Sequence, residues 1–144
     1  MKVRDILRKK GGAVETVRPG ETVSALCKRL RNARIGALIV SQDGTQMEGI
    51  VSERDVVACI AEHGARATTM TLADIMTTRV TTCSEDDNLS QIARKMTEQR
   101  FRHIPVMKGG RLTRVVSIGD IVQNRLEEVE LEAGVLRDIA LVSH

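Results

Sequence analysis

The residues best suited to chemistry occur twice. Ser52 and Asp55 follow Gly49-Ile50-Val51, and Ser117 and Asp120 follow Arg114-Val115-Val116, so two Ser-x-x-Asp motifs stand 65 positions apart. Each follows an apolar, strand-like run and precedes apolar residues at helical spacing. A helix starting there aims a hydroxyl, a carboxylate and unpaired backbone N–H groups at one small volume, which suits part of a small polar ligand and favours an anion. The same pattern is a capping box, in which Ser52 and Ser117 stabilise a helix start by about 1 kcal/mol. The two uses are compatible. Next to Asp55, Arg54 reads either as a phosphate partner or as a solvated charge, and Gly119 stands at the matching place in the second copy. The first copy is therefore the stronger phosphate site.

Those motifs sit in a longer repeat. Residues 3–7 match 72–76 at an offset of 69, residues 22–26 and 35–40 match 88–92 and 101–106 at 66, and the Ser-x-x-Asp stretch closes at 65. The drift places loop-like insertions at residues 9–12 and 46–48. Each half reads as a short strand (14–17; 80–83), a helix with one apolar stripe (Val23, Leu26, Leu30; Leu89, Ile92, Met96), a buried strand, a turn and a last strand feeding a second helix. Asp43-Gly44 and Gly109-Gly110 read as hairpin turns, Gly64 as a helix stop, and Pro105 as a residue that makes its strand an edge or shortens it. The expected fold class is α+β, two pseudo-symmetric β-α-β-β-α units sharing one body. The units are taken as 1–66 and 67–128, with a helical extension at 129–144. Along that last helix Val122, Leu126, Val129, Val135, Leu136, Ile139 and Leu141 continue an apolar stripe, with Gly134 as a candidate interruption. The stripe fits a helix folded back on its own domain or a dimer contact.

Composition removes several function classes. The 144 residues are 42% hydrophobic and 28% charged, as expected of a globular chain. Lys and Arg exceed Asp and Glu by 22 to 19, a net +3 too mild to be a nucleic-acid footprint by itself. One Phe and no Trp or Tyr leave no stacking platform for single strands. Cys27, Cys59 and Cys83 form no Cys-x-x-Cys pair, so no metal site is expected and the thiols read as reduced core filler. With no apolar run near the ~20 residues of a membrane span and no leader read at the N-terminus, the expected location is cytoplasmic. His63 and His144 show no ligand spacing. The run Arg8-Lys9-Lys10-Gly11-Gly12 reads as a solvated loop, and Lys28, Arg29, Arg31 and Arg34 as the polar side of a helix.

At this point the chain resembles a known family. Gly-Ile-Val-Ser-Glu-Arg-Asp at 49–55, Val-Val-Ser-Ile-Gly-Asp at 115–120, Arg-His-Ile-Pro-Val at 102–106, Ile-Gly-Ala-Leu-Ile-Val at 35–40 and Asp-Ile-Met at 74–76 are similar to a stand-alone pair of cystathionine-β-synthase (CBS) domains, the tandem called a Bateman module. The likeness covers roughly residues 1–128. It departs where Arg114 replaces the Gly that usually precedes the last strand, so equal occupancy of two sites is not expected. The resemblance implies a regulatory, signal-transducing module, not an enzyme, that binds AMP, ADP, ATP, NAD(H) or S-adenosylmethionine, holds no tightly bound cofactor, and forms a homodimer. It implies that Asp55 and Asp120 bond the ribose hydroxyls, with Ser52 and Ser117 near ribose or phosphate. It implies that Thr16, Val17, Thr82, Ala37, Ile39, Ile104 and Pro105 bracket adenine, and that Arg102 and His103 face phosphates. The alternatives are a weak nucleic-acid binder, suggested by a pI of about 9.0, and an interaction scaffold with empty sites.

Overall fold

The computed structural model describes residues 1–11 and 14–142; Gly12, at the end of the basic run, and His144 lie outside the described residues. The two apolar stripes set the two amphipathic helices of the repeat. Helix α1 (Val3–Lys9) and strand β1 (Thr16–Val17) precede α2 (Val23–Ala33), which Thr22 caps by accepting the Ala25 N–H at 3.2 Å. Val23, Leu26 and Leu30 are its buried residues. Strands β2 (Ala37–Val40) and β3 (Gly49–Ser52) lead to α3 (Glu53–His63), which ends at Gly64 with φ 60°. A 3-10 turn (Gly64–Thr69) and the short α4 (Leu72–Ile75) link to the second repeat. There α5 (Leu89–Gln99) buries Leu89, Ile92 and Met96, and β4 (His103–Lys108) and β5 (Arg111–Ser117) feed α6 (Ile118–Val142).

The sheets are less symmetric than the repeat. In the first, β1 pairs parallel with β2 and β2 antiparallel with β3. Among the described residues the second holds β4 and β5 only, and the expected strand at 80–83 is reduced to a parallel bridge between Cys83 and Val106. Pro105 explains this. Its carbonyl accepts the Cys83 N–H at 2.9 Å, but it has no N–H to return to the neighbouring strand. The proline shortens the partner strand while β4 itself continues through it. Gly109 and Gly110, both at positive φ, make the tight two-residue hairpin. The first hairpin is instead a longer loop. There the Asp43 carboxylate accepts from the amides of Thr45 and Gln46 at 2.9 Å each, which holds it down to a pKa of about 2.

Each repeat borrows its neighbour's leading helix. Leu72 of α4 lies in the core built by Val17, Leu26, Val40 and Val51, with Met70, Ile75 and Met76 packed against it. Val3 and Ile6 of α1 lie in the other core, with Ile92, Ile104, Val106 and Val116. Matching backbone bonds seal the exchange: Leu72 N–H to the Glu21 carbonyl at 2.9 Å and Val3 N–H to the Asp87 carbonyl at 3.0 Å. The core boundaries therefore cross the division at residue 66.

Two sequence expectations change. Arg8 and Lys9 belong to α1, so the basic run is not a loop from its start, and both lysines find partners at the surface: Lys9 donates to Glu127 at 3.0 Å and Lys10 to Asp120 at 2.8 Å. Gly134 does not interrupt α6, which runs 25 residues. A mid-helix Gly costs only about 1 kcal/mol relative to Ala, and the Leu, Glu and Ala residues around it favour helix.

Candidate functional site: two clefts between the repeats

Both Ser-x-x-Asp motifs form capping boxes, and both open onto a cleft. In the first, Ser52 Oγ accepts the Asp55 N–H at 3.4 Å, and Asp55 Oδ2 accepts the Ser52 N–H at 2.8 Å. Asp55 Oδ1 has one further donor, the Thr77 hydroxyl at 3.2 Å. In the second, Ser117 Oγ accepts the Asp120 N–H at 3.1 Å, and Asp120 Oδ2 accepts the Ser117 N–H at 2.8 Å. That same oxygen receives the Lys10 ammonium at 2.8 Å, while Lys10 also donates to the Val115 carbonyl at 2.8 Å.

The first cleft, about 570 Å³, joins the start of α3 to the segment before the second repeat and to the end of α5. Arg54, Arg79, Arg100 and Arg102 line it, and none is within ion-pair distance of a carboxylate among the described residues. Ile50, Val80 and Phe101 supply an apolar wall beside them. The second cleft, about 480 Å³, is lined by Lys10, Arg34 and Arg114 against Glu15 and Asp120. Its carboxylate is already ion-paired, so it offers less free positive charge.

His103, Gly36 and Ala37 line both clefts and form the wall between them. A Cβ on Gly36 would lie 3.3 Å from His103 Cε1, so the glycine makes room for the ring. Burial lowers the His103 pKa below its ordinary 6.5, and Lys10 adds to this against the opposing pull of Asp120 and Glu53. The ring is neutral at pH 7.

The clefts take in Ala37, Ser52, Arg54, Asp55, Arg102 and His103 on one side, and Ala37, Ile39, His103, Ser117 and Asp120 on the other. Thr16, Val17, Thr82, Ile104 and Pro105 line neither. Val17 and Ile104 are buried in the two cores, Pro105 is buried in β4, Thr16 pairs with Ile39, and Thr82 is exposed just before the Cys83 bridge. Arg34, expected on the polar side of a helix, lies past the end of α2 and faces the second cleft.

Sequence reasoning missed Thr77, Arg79, Arg100 and Lys10. The offset of 69 that aligns α1 with α4 also pairs Lys10 with Arg79, so the repeat held a signal for both. Arg34 and Arg100 are likewise repeat partners. Each is a left-handed C-cap, at φ 54° and φ 58°, and each faces a different cleft.

Gly49 explains the departure at Arg114. A Cβ on Gly49 would lie 2.7 Å from the Thr77 carbonyl, because the inter-repeat segment pairs with Ile50 there. Arg114 instead opens onto the second cleft. Among the described residues no cluster of three or more His, Cys, Asp or Glu could hold a metal ion, and no helix is long and apolar enough to cross a membrane. Burial pushes the Cys83 thiol up to about 11, which makes it inert at neutral pH.

Two repeated α+β units with paired clefts define a tandem-repeat module with two candidate sites. The CBS domain family model matches residues 3–62 and again 72–127, and the chain belongs to that family. A CBS-domain containing protein of Agrobacterium tumefaciens superposes with a TM-score of 0.83 at 36% identity, over 87% of this chain and 99% of that one. CBSX2, crystallised in complex with AMP, superposes with a TM-score of 0.74 over 88% of this chain and 97% of its own, and at 23% identity it speaks for the fold. The mitochondrial CBS domain-containing protein CBSX3 of Arabidopsis thaliana is 30% identical over 134 residues, 88% of this chain. The chain spans 65% of that protein's length.

Proposed function

We propose that this chain is a regulatory module whose first cleft binds an adenosine-containing ligand such as AMP, ATP, NAD(H) or S-adenosylmethionine, with no catalysis of its own. The observation that carries the reading is the presence, in one cleft, of Asp55 at a helix N-terminus and four arginines without carboxylate partners among the described residues. A carboxylate is a suitable acceptor for a vicinal diol, and guanidinium groups suit phosphates. The volume is within the usual range for a small-molecule site. Ile50, Val80 and Phe101 offer a base the apolar surface that such a site needs. CBSX2 was crystallised with AMP, and this supports the ligand class.

The ligand would touch the start of α3, the inter-repeat segment and His103 of the second repeat, so occupancy favours one arrangement of the two repeats. That differential affinity is the signal, read by a partner protein or across a homodimer. A reducing compartment, the cytoplasm in this reading, suits the three free cysteines.

A thermal melt followed by far-UV circular dichroism, repeated with AMP, ATP, NAD⁺, NADH and S-adenosylmethionine, tests the reading. A ligand at ~100 times its Kd adds roughly 2.7 kcal/mol, or about 5–10 °C for a domain of this size. No shift from any of them at millimolar concentration would overturn it.

A further inference from the structure

α6 carries a stripe that its own packing does not use. Val122, Leu126, Val129, Ala133 and Leu136 recur at alternating spacings of four and three, and all are exposed, Leu126 at 52% and Leu136 at 68%. This is the a/d pattern of a coiled coil, with Leu126 and Ala133 at a and the others at d. The helix packs on its own repeat by a different side, through Ile121 and Asn124. Most of the stripe lies past residue 127, where the family match ends.

The flanking charges identify the occupant. Arg125 and Glu132 fall at g positions, and Glu130 and Arg137 at e, all on the surface. Laid in parallel register against a second copy, g faces the partner's e five residues on. Arg125 then meets the partner's Glu130, and Glu132 meets the partner's Arg137. This parallel register pairs opposite charges and opposes no like ones. A coil this short is marginal for free peptides, but here α6 is continuous with a folded body.

We propose that two copies of this chain pair through this seam of α6, as a short coiled coil anchored on the repeats. The inference rests on the homodimer reading above and names its surface; it does not depend on the nucleotide.

Charge exchange in the full-length chain tests it by sedimentation velocity. Arg125→Glu with Arg137→Glu makes all four facing positions acidic, and Glu130→Arg with Glu132→Arg makes them all basic. Each double variant alone is expected to dissociate at least roughly tenfold more readily than the parent, and an equimolar mixture is expected to regain a heterodimer. Circular dichroism establishes that both variants keep their helix content. If folded variants each self-associate as the parent does, or their mixture stays monomeric, the seam is wrong while the homodimer can stand. A parent chain that is monomeric throughout overturns both.

Discussion

Lys10 Nζ lies 2.8 Å from Asp120 Oδ2, and among the described residues no cation holds Asp55, which has the Thr77 hydroxyl at 3.2 Å instead. The clefts therefore begin in different states, although one repeated motif builds both. One carboxylate is neutralised and half-closed by its own chain. The other is open to new donors and ringed by arginines.

Removing the ammonium exposes that difference. Burial alone would raise the Asp120 pKa, but the Lys10 bond and the Ser117 amide outweigh it and hold the group below its ordinary 3.8. A depressed carboxylate contributes stability above its unfolded value and loses it as pH falls through the folded one. Both partners are partly exposed, so Lys10→Met is expected to cost about 1 kcal/mol or less at pH 7. In paired melts the gap between variant and parent narrows below pH 3.8; a gap unchanged at acid pH would show that Lys10 acts by packing.

His103 sets a second pH dependence. Its folded pKa lies below 6.5, so the unfolded chain takes up protons first and the parent loses stability as pH falls through 6.5 and below. His103→Gln is expected to flatten the curve of melting temperature against pH in that window. Identical slopes in parent and variant would contradict a neutral, half-buried ring.

The left-handed arginines predict a trade between stability and binding. A non-Gly residue in this region costs roughly 1–2 kcal/mol, so Arg100→Gly is expected to raise the melting temperature by a few degrees while weakening an anionic ligand in the first cleft. Arg34→Gly removes the same strain at φ 54° but faces the other cleft. It is expected to stabilise without that loss, and equal loss of affinity in both variants would contradict the assignment of the arginines to separate clefts.

Gly49→Ala forces a Cβ onto the Thr77 carbonyl, a backbone atom with little room to move. A cost of about 1–3 kcal/mol follows, together with displacement of the Thr77 hydroxyl from Asp55. Arg114→Ala, its repeat counterpart, is expected to stay within about 0.5 kcal/mol of the parent. Chemical denaturation of both variants measures the contrast directly.

The repeat made the fold legible, because apolar stripes and Ser-x-x-Asp motifs recurring at nearly constant offsets cannot come from one local accident. Val23, Leu26 and Leu30, and their counterparts Leu89, Ile92 and Met96, are buried as their spacing requires. The clefts were only half legible. Asp55 and Asp120 carry their own signature, but Thr77 and Arg79 reach the first cleft through exchange of the leading helices between repeats. That exchange is a tertiary arrangement that no local pattern encodes. Lys10 was hidden for a similar reason: in sequence it is one charge in a basic run, and only the fold places it against Asp120. Gly134 misled because glycine marks helix ends statistically, yet costs little inside a long helix of strong formers.

In the proposed function Asp55, rather than Asp120, anchors the adenosine ligand. Isothermal titration of AMP into the parent, Asp55→Asn and Asp120→Asn separates the two carboxylates. Hydrogen bonds to a charged group are worth about 1.5–3 kcal/mol, so Asp55→Asn is expected to weaken AMP by roughly 10- to 100-fold, while Asp120→Asn leaves the principal site near the parent's affinity. AMP binding that survives Asp55→Asn but disappears with Asp120→Asn would place the ligand in the second cleft and overturn the assignment to Asp55.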